Sequence, residues 1–164
     1  PDLRIEPLRG NLDTRLRKLD AGQYAASVLA AAGLKRLGLA ERIRHVFDTA
    51  QMLPAAGQGA LGIEVRAGRA DLLAALAPLA DADSWLSTAA ERAVSRAMGG
   101  SCSMPLAAHA TLEDGQMHLR AAWGEPEGAP QLVRAEERVL VRRESDAQAV
   151  GERVAAALRA GGAH

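Results

Sequence analysis

The stretch AAERAVSRAMGGSCSMPLA, residues 89–107, runs from a helix through a loop into a strand and sets the fold of the second half. Its alanine-rich first part continues a helix that Asp81 or Asp83 caps and that ends near Met98. Two glycines, two serines and a proline then fall within a few residues, which is typical of a loop. We therefore predict a helix, a loop and, from Leu106, a strand.

Three strands are predicted after this loop, followed by a closing amphipathic helix. The strands are Leu106 to Leu112, Met117 to Trp123 and Gln131 to Arg142, and the helix is Asp146 to Ala160. Glu113-Asp114-Gly115-Gln116 predicts a hairpin turn, and Glu125-Pro126-Glu127-Gly128 a turn before the third strand. Residues 81–164 are thus predicted as a small α+β domain, a three-stranded antiparallel sheet with helices on one face.

The first half alternates strand and helix patterns, which favours an α/β fold with a largely parallel sheet. The predicted strands are Leu3 to Leu8, Tyr24 to Ala31 and Ala60 to Arg66. The predicted helices are Leu12 to about Ala21, capped by Asn11, then Leu34 to Arg44 and Asp71 to Leu79. We expect residues 1–54 to be one unit and residues 55–80 to begin with a hinge, Ala55 to Gly59.

Composition narrows the class of protein. The 164 residues carry no net charge and only 2% aromatic residues, which argues against a nucleic-acid partner. No apolar run approaches membrane-spanning length, so we expect no membrane contact. The four histidines show no metal-ligand spacing, and a single cysteine fits a reducing, cytoplasmic compartment.

Cys102 is that single cysteine, and it cannot form a disulfide within the chain. A lone cysteine is commonly a small buried hydrophobe, and the alternative is a chemical handle. The loop composition around Cys102 favours a reachable thiol that can be alkylated.

Two arginines flank a glycine in Leu8-Arg9-Gly10-Asn11-Leu12-Asp13-Thr14-Arg15-Leu16. They could be ordinary solvated cations, but a loop that leads into a helix N-terminus suits an anion. Gly10 permits close backbone approach, and a cation in a first helical turn is unfavourable for the helix. We therefore favour an anion site.

Gly57-Gln58-Gly59-Ala60-Leu61-Gly62 matches a dinucleotide-binding glycine pattern. That pattern must follow a strand and open a helix, whereas here it precedes a predicted strand. A flexible crossover is the better interpretation.

The run from Glu91-Arg92 through Gly100-Ser101-Cys102 to Pro105-Leu106-Ala107 resembles the cofactor-attachment signature of the porphobilinogen deaminase (hydroxymethylbilane synthase) family. Met104 departs from the small or β-branched residue usual there, and we expect only a packing adjustment. The Leu8–Asn11, Ala32–Leu37 and Ala55–Gly59 segments resemble further blocks in family order. The resemblance spans nearly the whole chain.

The resemblance implies an enzyme that joins four porphobilinogen units with loss of ammonia to give hydroxymethylbilane in tetrapyrrole synthesis. It implies a dipyrromethane cofactor on Cys102 through a thioether, with Arg9, Arg15 and Arg36 on the acetate and propionate groups and Gln58 on cofactor or substrate. We expect the three arginines to converge on one face.

The family's catalytic carboxylate is an aspartate of its first domain, and we find no match for it, so no catalytic residue is assigned in this chain. The resemblance makes residues 1–54 part of a periplasmic-binding-protein-like second domain, and residues 55–80 a hinge and a segment that returns to a missing first domain. The whole enzyme is expected to be a monomer. The 164-residue chain by itself is expected to be inactive. Its residues 60–79 are expected to be rearranged, disordered or the site of self-association.

Two other functions remain open. A solute-binding or regulatory module would use the same hinge but would need no covalent pyrrole on Cys102. A thiol redox enzyme is weakened by the lack of a resolving cysteine.

Overall fold

The computed structural model describes residues 2–101, 104–124 and 132–164 as a mixed α/β protein. The chain divides into two compact units, Pro1–Phe47 and Asp48–His164. The helices are α1 Leu12–Asp20, α2 Ala31–Arg36, α3 Ala70–Leu76, α4 Ala82–Ala97 and α5 Glu144–Ala160, with short 3₁₀ turns at Ala40–Arg42 and Ala77–Leu79. The strands are β1 Leu106–Glu113, β2 Gln116–Gly124 and β3 Leu132–Leu140.

The sheet of the second unit is antiparallel, as predicted, and its strands lie in the order β1-β2-β3. Ala121 in β2 lies opposite Ala108 in β1 and Ala135 in β3. The turn between β1 and β2 holds Asp114 at φ 50° and Gly115 at φ 77°, the left-handed pair that a two-residue hairpin turn requires. The second predicted turn, Glu125 to Gly128, lies outside the described residues.

One face of the sheet is covered by α4 and α5 and forms the core of this unit. Met117 and Leu119 of β2 are fully buried there beside Val94 of α4 and Leu158 of α5. The alternation of apolar and polar residues along β2 sends the other half of its side chains to the opposite face. That opposite face is where the groove described below is found.

Helix α4 begins and ends with the signals predicted for it. The Asp81 carboxylate accepts a hydrogen bond from the Ser84 backbone N–H at 2.8 Å. The Ser84 hydroxyl and that N–H hold the pKa of Asp81 below its usual value. Gly99 and Gly100 follow the helix at φ 119° and 68°, so the chain turns away where residues with a Cβ are strained.

In the first unit, the prediction that Asn11 caps α1 is confirmed, because Asn11 Oδ1 accepts a hydrogen bond from the Thr14 N–H at 2.9 Å. The helix predicted over Leu34 to Arg44 is wrong in its bounds, since α2 spans Ala31–Arg36 and Gly38 then adopts φ 71°. The helix predicted at Asp71 is present as α3 and the 3₁₀ turn after it.

The three strands predicted outside the sheet, Leu3 to Leu8, Tyr24 to Ala31 and Ala60 to Arg66, are wrong. None of these segments pairs with a neighbouring strand among the described residues. Several of their apolar side chains are exposed instead, with Leu3 at 83%, Ile5 at 92% and Leu61 at 82%. An extended apolar segment becomes a strand only when another strand satisfies its backbone groups.

No helix in the described part of the chain is both long and apolar enough to cross a membrane.

Candidate functional site

A buried carboxylate holds the glycine-rich loop of residues 55–60 in place. Glu91 lies on α4 with only 6% of its surface exposed. One carboxylate oxygen accepts the Gly57 N–H at 2.6 Å and the other accepts the Ala110 N–H at 2.8 Å. His109 Nδ1 is 3.4 Å from the same oxygen as Ala110. Glu91 therefore joins the loop, helix α4 and strand β1.

Gln58 stands at the tip of this loop with its side chain exposed. Its Oε1 accepts the Ala55 N–H at 3.3 Å, and its own N–H donates to the Ala55 carbonyl at 3.0 Å. Gly57 and Gly59 have φ values of 75° and 89°, which glycine adopts without strain. The loop is a defined turn that presents Gln58 beside its anchor on Glu91.

The chain before this loop runs along the free edge of β1. The Ala108 N–H donates to the Pro54 carbonyl at 3.1 Å. Together with the Glu91 contacts, this bond covers a strand edge that would otherwise be open to pairing. The segment also forms one wall of a groove.

This groove, which we call the sheet groove, has a volume of about 820 Å³ on the face of the sheet away from α4 and α5. Residues 50–55 form one side, and the open face of β2 and β3 forms the other. Its charged lining residues are Arg120, Arg134 and Glu136. Met104 and Pro105, which follow Cys102 by two and three residues, also line it.

Arg120 is a half-buried cation in the sheet groove. One of its Nη atoms donates to the Thr49 hydroxyl at 3.0 Å. Its Nε is buried and has no hydrogen-bond partner. No carboxylate of the described residues forms an ion pair with Arg120.

Glu136, the acidic lining residue, already has a partner. Its carboxylate lies 2.9 Å from His118 Nε2 across the strands. The His118 hydrogen bond is the main reason that the pKa of Glu136 falls below its usual value. Glu136 is therefore ionised and engaged with His118.

The structure places the three predicted arginines in the first unit. Arg9 precedes α1, Arg15 lies in its first turn, and Arg36 ends α2. Arg15 Nε donates to the Gly10 carbonyl at 2.8 Å, which brings Arg15 to the loop that carries Arg9. No hydrogen bond or ion pair within the described ranges joins Arg36 to either of them.

Cys102 lies outside the described residues. The chain on either side of it is described: Gly100 N–H donates to the Ser95 carbonyl at 2.8 Å, and Met104 N–H to the Ser101 carbonyl at 3.3 Å. The predicted loop therefore does connect α4 to β1. Among the described residues no group of three or more His, Cys, Asp or Glu side chains could hold a metal ion.

Two family models match the chain in succession. The model described as "Porphobilinogen deaminase, dipyromethane cofactor binding domain" matches residues 1–74, and "Porphobilinogen deaminase, C-terminal domain" matches residues 85–160. The chain belongs to the porphobilinogen deaminase family. The predicted family resemblance is thereby confirmed, and the dipyrromethane expected from it is the cofactor of the first matched domain.

Individual relatives agree with this. A porphobilinogen deaminase of Albidiferax ferrireducens is 66% identical over 160 residues, covering 98% of this chain and 51% of the relative. Porphobilinogen deaminases of Burkholderia mallei and Burkholderia pseudomallei are 57% identical over 163 residues, covering 99% of this chain and 49% of each relative. The chain spans about half the length of the curated porphobilinogen deaminases it matches.

Sequence reasoning assigned no role to Glu91 or Arg120. The sequence around Glu91 does indicate its burial, because Ala90, Ala93 and Val94 on α4 are apolar. A charged residue among buried apolar residues usually has a partner. The alternation along β2 places Arg120 on the open face. Its buried Nε depends on the segment that packs over that face, which no local pattern reveals.

Proposed function

We propose that the whole protein is a hydroxymethylbilane synthase that condenses four porphobilinogen units, with loss of ammonia, in the cytoplasm and as a monomer. The observation that carries this proposal is the ordered match of the two porphobilinogen deaminase models to residues 1–74 and 85–160. The Gly-Gly-Ser-Cys loop of residues 99–102 lies inside the second match.

The proposal assigns the covalent attachment of dipyrromethane to Cys102 through a thioether. When bound, this group supplies a tethered acceptor for each new pyrrole. A tethered acceptor makes each condensation effectively intramolecular, which can raise the rate greatly. Gly99 and Gly100, which precede Cys102 in the sequence, have positive φ values that residues with a Cβ rarely adopt.

Arg9, Arg15 and Arg36 are proposed to bind the acetate and propionate groups of the cofactor or substrate, and Gln58 to contact cofactor or substrate. The donor set suits the group, because guanidinium forks pair with carboxylates in two-pronged fashion and stay protonated. Arg9 and Arg36 are exposed without a carboxylate partner in the described part of the chain. The Arg15 bond to Gly10 orders the loop that would receive the anion.

The same proposal extends to domain organisation. Residues 1–54 would belong to a periplasmic-binding-protein-like second domain, residues 55–80 to a hinge and returning segment, and residues 81–164 to the C-terminal domain. The catalytic aspartate would lie in a part of the whole protein other than this chain. The relatives' length, about twice that of this chain, supports this arrangement.

Cys102→Ser in the whole protein tests the function. We expect intact mass spectrometry to show loss of the dipyrromethane mass and porphobilinogen consumption to fall to nearly zero, because a serine hydroxyl is a far weaker nucleophile than a thiolate. Ser103→Ala is the matched control and should keep both the adduct and the activity. An unmodified serine variant with full activity would contradict the assignment.

A further inference from the structure

We propose that the sheet groove is a carboxylate-binding subsite for a pyrrole substrate, with Arg120 as its main ligand and Arg134 as its second. This inference rests on the proposed function and deepens it, because it adds a binding surface in the C-terminal domain to the arginines of the first unit.

The first support is the state of the Arg120 side chain. Its Nη bond to Thr49 satisfies one donor, while its buried Nε has no partner. A buried donor without a partner costs free energy. Glu136 lies opposite Arg120 in the register of β2 and β3 and attracts it electrostatically, but within the described part of the chain it forms no ion pair with Arg120. Arg120 lines the sheet groove, and among the described residues its Nη donors are engaged only by Thr49, so we expect the remaining Nη N–H groups to bind a ligand that enters the groove.

The second support is the charge of the groove. Its charged lining residues are two arginines, Arg120 and Arg134, and one carboxylate, Glu136. The Glu136 carboxylate is hydrogen-bonded to His118. Arg134 is exposed and pairs with no carboxylate of the described residues. The groove is therefore positive and selects an anion, and the planar guanidinium forks favour a carboxylate.

The third support is the shape and position of the groove. Its other walls are apolar, with Leu53, Met104 and Leu106 able to contact a flat ring. Its volume of about 820 Å³ suits a small organic ligand. Because Met104 and Pro105 line it, the groove begins two residues along the chain from the proposed attachment cysteine.

Calorimetric titration with porphobilinogen tests the subsite. The 164-residue chain carries Cys102→Ser throughout, so that no covalent adduct can form. We expect Arg120→Gln to weaken binding about tenfold, the effect of one lost charge-assisted contact. Arg120→Lys should also weaken binding, because an ammonium lacks the fork, and it keeps the charge if the glutamine variant fails to fold.

Arg138→Gln is the matched control. Arg138 is exposed on β3, on the same face of the sheet but outside the groove lining. Like Arg120, it lowers the pKa of Glu136 through its charge, so its loss removes the same charge without removing a donor from the groove. It should bind porphobilinogen as the parent does. Arg134→Gln should weaken binding by less than Arg120→Gln, since Arg134 is exposed.

A second ligand distinguishes the contribution of the carboxylate charges to binding from that of the pyrrole ring. The dimethyl ester of porphobilinogen keeps the ring and loses both carboxylates, so we expect it to bind at least tenfold more weakly. The inference is overturned if porphobilinogen does not bind, if Arg120→Gln binds as the parent does, if Arg138→Gln weakens binding equally, or if the diester binds as tightly.

These results are independent of the test of function. Adduct formation and turnover by the whole protein, together with unchanged binding in Arg120→Gln, would defeat the subsite alone. Arg120-dependent binding in a protein that forms no adduct would defeat the proposed function and leave the subsite standing.

Discussion

At residue 91, helix α4 carries a carboxylate into the interior of the second unit, where it accepts two backbone N–H groups from different parts of the chain. Gly57 and Ala110 are separated from Glu91 by 34 and 19 residues. A carboxylate is well suited to this task, because its two oxygens can serve two donors at once. The residue is thus a structural anchor for the loop that presents Gln58.

Replacement of Glu91 by glutamine should destabilise the second unit by about 1–3 kcal/mol, the cost of a buried backbone donor left without an acceptor. Glutamine offers one oxygen, and its NH₂ would face the second N–H. Urea unfolding measures the loss, and hydrogen exchange at the Gly57 amide should become faster.

Glu152→Gln provides the control for this change. Glu152 is exposed on α5, so the same substitution there should leave the unfolding free energy nearly unchanged. Equal stability of the Glu91 and Glu152 variants, with no change in Gly57 exchange, would show that Glu91 does not anchor the loop.

At the scale of elements, the crossing of α4 and α5 decides how closely the helices cover the sheet. Gly151 of α5 is buried where the helices touch, and an added Cβ would lie 2.5 Å from the Ala93 Cβ and would also strike the Ala90 carbonyl. The sequence indicates where both helices begin and end and which of their faces are apolar. The closeness of the crossing depends on a single missing Cβ.

Gly151→Ala should therefore lower the free energy of unfolding by about 1–3 kcal/mol, the usual cost of overpacking. This cost outweighs the helix propensity that alanine gains over glycine, which is at most about 1 kcal/mol. Thermal and urea unfolding of the second unit provide the measurement.

Gly33→Ala is the matched control, since Gly33 lies in α2 and, apart from its chain neighbours and the backbone of its own helix, no atom lies within 4 Å of its added Cβ. At Gly33 alanine increases helix propensity without a packing cost, so the free energy of unfolding should stay the same or rise. A Gly151→Ala protein as stable as the parent would mean that the helices move apart without loss.

At the scale of the whole molecule, much apolar surface is open to water. Within residues 60–79, Leu61, Ile63, Leu73 and Leu79 are each more than half exposed. Such a surface favours association with another chain, because each apolar side chain buried in a contact contributes roughly 2 kcal/mol. The expected self-association through this segment thus has a physical basis in its exposed side chains.

We expect the mass of the 164-residue chain to rise with concentration in light scattering, and Leu61→Asp to weaken this association about tenfold or more. Leu3→Asp tests specificity, because Leu3 is as exposed as Leu61 but lies outside the segment. A monomer at every concentration, or an equal effect of the two substitutions, would contradict the prediction.

The elements with local signals could be predicted from the amino-acid sequence. The cap at Asp81 and the glycines after Met98 predicted the two ends of α4. The Asp114-Gly115 turn between two strand-like runs predicted the hairpin of β1 and β2. The spaced motif around Cys102 likewise predicted the family that the comparisons show. Each of these signals lies within a few residues, where chain geometry and side-chain chemistry suffice.

Strand pairing and the burial of polar groups could be established only from the folded chain. Leu3 to Leu8, Tyr24 to Ala31 and Ala60 to Arg66 have strand-like patterns but no pairing partner among the described residues. The burial of Glu91 and of Arg120 Nε likewise comes from segments distant in sequence that pack over them. Strand pairing and burial depend on what lies nearby in space, and a local pattern carries no information about such neighbours.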